Sequence, residues 1–152
     1  MCIGFNYLAI KNKTEPYFDD LNSGHENLIK QNKLTDGNLF TRMFVRIEVI
    51  PVGKEFTSTN VADWEFRVDE QGSLPGWFEE EKETWRARCV DAAIKQIQNI
   101  IKTGAFKGSF NFRGSKITSL GKLTSIGDYA DFRGSKITSE SLPEWVRAKA
   151  IF

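Results

Sequence analysis

Histidine and cysteine are almost missing from this chain. Its 152 residues contain one histidine, His25, and two cysteines, Cys2 and Cys89. A single imidazole excludes His-rich metal sites, and two thiols make neither a disulfide framework nor a four-cysteine zinc centre. No apolar run approaches the ~20 residues of a membrane-spanning helix, and no basic-then-apolar leader opens the chain. An excess of charge is also missing: 21 basic residues face 20 acidic ones. That balance argues against a dedicated nucleic-acid or membrane-surface binder, leaving only local patches for such work. With no membrane segment and so few cysteines, a cytoplasmic, reducing setting is expected.

What the chain does have is aromatic bulk. Twelve phenylalanines and four tryptophans can fill a core, and 40% hydrophobic with 27% charged residues is ordinary for one globular domain. Ile3, Phe5, Tyr7 and Ala9 alternate as a strand. Ser23 and Glu26 have capping-box spacing, which predicts a helix over about residues 24–33 with Leu28 and Ile29 inward. His25, in its first turn, reads as a surface residue. Met43, Val45, Ile47 and Val49 alternate against Arg42, Arg46 and Glu48, with Phe44 as the exception. Trp64, Phe66 and Val68 alternate against Glu65, Arg67 and Asp69, so the two strands are expected to pair with their charges outward. The link over 51–63 is long for a hairpin and reads as flexible.

Pro75 and Gly104 bracket one long helix, with Glu79, Glu80, Glu81 and Glu83 early and Lys95 and Lys102 late, matching the helix dipole. Phe78, Trp85, Cys89, Ala92, Ala93, Ile97, Ile100 and Ile101 form its apolar stripe.

From about residue 105 the chain repeats itself. FRGSKITS occurs at 112–119 and again at 132–139, and Phe106/Ile126, Phe110/Ala130 and Ile117/Ile137 also match at a spacing of twenty. Phe110, Phe112, Ser115 and Ile117, with Ala130, Phe132, Ser135 and Ile137, follow a pattern that resembles the core of a leucine-rich repeat. Ser stands in place of the usual Asn. The resemblance implies short parallel strands stacked coil on coil. A single coil cannot bury its own edge, so two coils need covers at both ends. The Leu74-Pro75-Gly76-Trp77 start of the long helix and the similar Leu142-Pro143-Glu144-Trp145 start of a terminal helix suit that role.

The expected fold is therefore α+β. A small antiparallel sheet packed by one long helix (1–104) is followed by a two-coil leucine-rich-repeat-like β-solenoid stub with a short C-terminal capping helix (105–152), sharing one core. The chain also resembles a loose group of short bacteriophage and mobile-element proteins, on the strength of its Met-Cys start, SGHENLI and FRVDEQGSLPGWFEEE. That resemblance implies no catalytic residues.

Candidate chemistry is sparse. Cys2, exposed as an N-terminal thiol after loss of Met1, would be similar to the nucleophile of glutamine amidotransferases. The chain is short for that fold, and neither a base nor an oxyanion partner is identifiable, so no enzyme, cofactor or metal is expected. The glutamate cluster reads as a solvated, dipole-matched helix start, with mimicry of nucleic-acid phosphates as the less favoured alternative. The stacked strands are more informative. They should set Asn111 and Arg113 beside Asp131 and Arg133, near Tyr129, with Lys116 and Lys136 just beyond. Arg113 beside Arg133 is a repulsive pair that Asp131 offsets only in part and that a bound anion would relieve. Two functions follow from different classes. One is a non-enzymatic interaction protein, a phage factor inhibiting a host defence protein in the host cytoplasm. The alternative is an anion, nucleotide or nucleic-acid binder using the Arg/Lys ladder. Exposed strand edges would also allow a homodimer.

Overall fold

The computed structural model describes residues 3–38, 40–147 and 149–152, apart from the side chain of Trp145. Strands β1 (Phe5–Ile10), β2 (Phe44–Pro51) and β3 (Trp64–Val68) form an antiparallel sheet in that order. Tyr7 pairs with Ile47, and Ile47 pairs with Val68. Alternation puts Phe5, Tyr7, Ala9, Val45, Ile47, Val49 and Phe66 into the main apolar cluster.

The opposite face is covered too. Leu8 and Phe44 pack there with Leu28 and Ile29 of helix α1 (His25–Gln31). Phe44, the exception in the alternation, is thus an inward residue of a second layer. The charges expected in water on this face are not: Arg46 is half-buried and Glu48 is fully buried. The expected capping box does not form. Gly24 caps α1 with no side-chain bond, and the Glu26 carboxylate instead accepts from Arg46 Nη2 at 3.1 Å.

The link after β2 is tied down rather than flexible. Phe56 and Thr57 are buried. The Phe56 amide donates to Ser119 O (2.9 Å), Thr118 N to Lys54 O (2.7 Å) and Lys122 N to Thr57 Oγ1 (2.9 Å). Phe56 also meets Phe110 and Phe112 edge-on, with centroids 4.8 and 4.9 Å away.

The long helix is two pieces, α2 (Gly76–Glu79) and α3 (Lys82–Thr103), separated where Glu81 leaves helical geometry (φ −118°, ψ 19°). The first turn is anchored on its own account: Phe78 is buried, and Trp77 Nε1 donates to Arg42 O at 3.0 Å. Trp85, Cys89, Val90, Ala93, Ile97 and Ile100 are the buried side of α3, whereas Ile101, expected inward, is exposed. Gly104 ends α3 in the left-handed conformation, as its position suggests.

Beyond Gly104 the strands become short and parallel. β4 (Ala105–Phe106) pairs with β6 (Ser125–Ile126), and β5 (Phe110–Asn111) pairs with β7 (Ala130–Asp131). Both pairs are in register at twenty residues, Phe106 against Ile126 and Phe110 against Ala130. The identical octapeptides make identical turns. Gly114 and Gly134 take φ of +66° and +72°, and the Ser115 and Ser135 amides donate back to Phe112 O and Phe132 O.

The tail differs from the expected cap. Helix α4 (Glu144–Arg147) is a single turn, and the chain then forms strand β8 (Ala150–Ile151), parallel to β7. Ala150-Ile151-Phe152 continues the spacing of Ala130-Asp131-Phe132, although no third octapeptide announces it. One apolar cluster runs from Phe5 through α3 to Ile137, Leu142 and Val146. No helix among the described residues is long and apolar enough to cross a membrane.

Candidate functional site

The in-register strands bring four of the seven expected residues to one place. Asn111, Tyr129, Asp131 and Arg133 line an open groove of about 360 Å³, completed by Asn6 of β1, Ser23 and Gly24 before α1, and Ile151 of β8. The Gly4 amide, which donates to Asn111 O at 3.1 Å, joins the antiparallel sheet to the parallel strands at its edge.

Asn111 and Asp131 do not point freely outward. Asn111 Oδ1 accepts from the Arg113 amide at 3.0 Å, and Asp131 Oδ1 accepts from the Arg133 amide at 3.1 Å. Each side chain closes its own turn, the local bond that makes these residue types favourable there. Asp131 goes further. Its carboxylate accepts from Arg133 Nε (3.0 Å) and Nη2 (2.6 Å), a two-pronged pair, while only 3% of the residue is exposed. The hydrogen bonds from Arg133, with the Arg113 charge nearby, hold the Asp131 carboxyl below the usual range. The repulsion expected between Arg113 and Arg133 is thus offset in part from within, by the carboxylate that Arg133 holds.

Lys116 and Lys136 do not join this groove wall. Lys116 lines a separate, larger groove of about 850 Å³ with Trp64, Phe66, Arg86, Val90 and Ile94, and Lys136 is exposed. The candidate ladder is therefore a compact polar patch plus two outlying lysines. Cys2, the considered nucleophile, lies outside the described residues. Cys89 is buried in the core, and burial pushes its thiol far up, the opposite of an activated thiolate.

A second polar cluster escaped the sequence reading. His25 is 2% exposed, not a surface residue. Its Nε2 donates to Ile47 O at 2.8 Å, and its Nδ1 lies 3.3 Å from Asp69 Oδ2. Burial holds this imidazole below its ordinary value, against the pull of the Ile47 carbonyl and Asp69. Glu48 Oε2 accepts from Arg67 Nη2 at 2.5 Å, whereas Glu48 Oε1 is buried without a hydrogen-bond partner. Burial pushes the Glu48 carboxyl up despite Arg67, and Asp69 pushes it the same way. The available signal was Phe44: an apolar residue on the charged side of β2 means that something covers that side, and Glu48 shares it.

Comparison with protein-family models, with curated proteins and with solved structures gives no match.

Proposed function

We propose that this chain is a non-enzymatic interaction module whose protein partner docks at the tip of the parallel strands, around Tyr129, Arg133 and Ile151. The observation that carries this reading is the make-up of the groove rim. Tyr129 is 46% exposed and Ile151 40% exposed, and between them sits an arginine held in place by a buried aspartate. Aromatic and arginine side chains already fixed in position are what protein interfaces concentrate at their energetic centres, because little conformational freedom is lost on docking. The twenty-residue register of β5 with β7 and of β4 with β6 supports treating this part as a leucine-rich-repeat-like solenoid stub that displays a regular array of side chains. The resemblance to short phage proteins supports a host protein as the target and the host cytoplasm as the place.

The anion reading loses ground on one point: Asp131 already pairs with Arg133 at 2.6 Å, so an incoming phosphate would share that guanidinium with a carboxylate. The two readings separate by experiment. Tagged wild-type chain and Y129A/I151A are passed through host lysate at low and at raised salt. A stoichiometric partner that survives raised salt and is lost from the double variant supports the proposal. A ligand that washes off as salt rises and returns with nuclease-sensitive material supports the anion reading instead. Sizing of the pure chain shows separately whether the partner is a second copy.

A further inference from the structure

The cluster of His25, Glu48 and Asp69 has a geometry that core packing alone does not explain. These three residues come from α1, β2 and the residue just past β3, and each offers one ligand atom, all within 4.8 Å of one another. His25 and Glu48 are buried, which is costly for polar groups unless partners hold them.

The hydrogen bonds at the rim fix how the cluster is set. A carbonyl oxygen only accepts, so His25 Nε2 must carry the proton it donates to Ile47 O at 2.8 Å. In the neutral ring, Nδ1 is then a lone pair, and it faces Asp69 Oδ2 at 3.3 Å. Two electron-rich atoms at that distance need a proton or a metal ion between them. Glu48 is arranged similarly: Arg67 fixes Oε2, and the buried Oε1 has no hydrogen-bond partner. An imidazole locked by a backbone carbonyl through its far nitrogen, and a carboxylate locked through its far oxygen, are the supports that metal ligands require.

Charge counting agrees. Around the cluster lie five carboxylates and three guanidiniums: Arg46 pairs with Glu26, Asp36 and Glu70, Arg42 with Glu70 and Arg67 with Glu48, while Asp69 meets only His25 among the described ion pairs. The neighbourhood carries two negative charges more than positive ones. One dication balances it.

We propose that His25 Nδ1, Glu48 and Asp69 bind one divalent transition ion of the zinc class. One nitrogen with two carboxylate oxygens is a donor set for Zn2+ and its neighbours rather than for the all-oxygen cages of Ca2+ or Mg2+. At bond lengths of about 2.0–2.2 Å, tetrahedral donors stand roughly 3.4 Å apart, which His25 and Asp69 already match. Three protein donors leave a position for water, and Asp69, with 41% of its side chain exposed, sits where an ion enters. The scarcity of histidine excludes a His-rich centre, not this mixed one. The ion would also tie α1 to the sheet.

The test uses the full chain, stripped with a chelator and titrated with Co2+ while the visible bands are followed, then with Zn2+ in competition. The expected result is one Co2+ per chain without a near-ultraviolet thiolate band, displaced by one Zn2+, together with a rise in Tm on Zn2+ addition. D69N alters an exposed carboxylate and keeps the fold, which circular dichroism checks. It should weaken Zn2+ binding at least ~10-fold, as should E48Q. No bound Co2+, a thiolate band placing the ion on cysteine, or unchanged affinity in D69N would overturn the assignment.

Discussion

The rings of Phe112 and Phe132 lie face to face, with centroids 4.9 Å apart and planes within 5° of parallel. They occupy the same place in the two octapeptides, and Phe152 continues the column on Phe132 at 5.7 Å. Phe132 is 1% exposed, sandwiched between the other two. F132A should therefore lose about 3–5 kcal/mol, its transfer term plus the cavity. F132L should lose much less, because it refills most of the space. Urea denaturation of the two variants measures the difference. Equal losses would mean that the column is not a packed unit.

Two glycines make a sharp contrast. A Cβ on Gly127 would lie 1.8 Å from Lys107 O, backbone against backbone, where β4 and β6 run together. A Cβ on Gly76 meets nothing within 4 Å, at the start of α2. G127A should separate the strands and cost several times the ~1 kcal/mol of an average substitution. G76A should be neutral or stabilise by up to ~1 kcal/mol, through a less flexible unfolded chain and better helix propensity. Thermal unfolding of both proteins checks the signs.

Much of this was legible because apolar period and turn chemistry are local signals. The sheet strands, the α3 stripe and the twenty-residue register of β5 with β7 all follow from them. The misses share a cause. His25, Glu48 and Arg46 looked solvated because Phe44 signals only that the second face of the sheet is covered, not that α1 covers it. The third parallel strand, β8, has only Ala150-Ile151-Phe152 to mark it, too short a match for a period to register. Lys116 kept its place in the repeat but lies against a different groove from Arg133. Sequence spacing fixes where a residue falls along a repeat, not what the rest of the chain lays over it.

Arg67 is the only cation that Glu48 contacts among the described ion pairs, at 2.5 Å. Glu48 is wholly buried, while 47% of the Arg67 side chain is exposed. R67A would leave a buried carboxylate without its partner. The ~3–5 kcal/mol typical of a fully buried pair is an upper limit, since water reaches the arginine, so a loss on the order of 1–3 kcal/mol is expected. R67A/E48Q should recover part of it, because the amide removes the orphaned charge. A double-mutant cycle by chemical denaturation reads the coupling directly. Simple additivity would show that the pair contributes nothing.

Asp131 ties stability to pH. Arg133 holds its folded carboxyl below the usual range, whereas the unfolded chain returns it to about 3.9. A folded value below the unfolded one stabilises the protein fully above the unfolded pKa, and that contribution is lost as pH falls through the folded value. Asn at this position keeps an acceptor for the Arg133 amide, a bond now made at 3.1 Å, and removes only the charge. D131N should therefore be less stable than wild type at pH 7 and at pH 5, with an unchanged gap. The gap should close only below the ordinary carboxylate range. Raised salt should narrow it at neutral pH, because ions then screen Arg113 from Arg133. Paired urea titrations across this range decide the matter, and a gap that closes above pH 5 would assign the effect to another group.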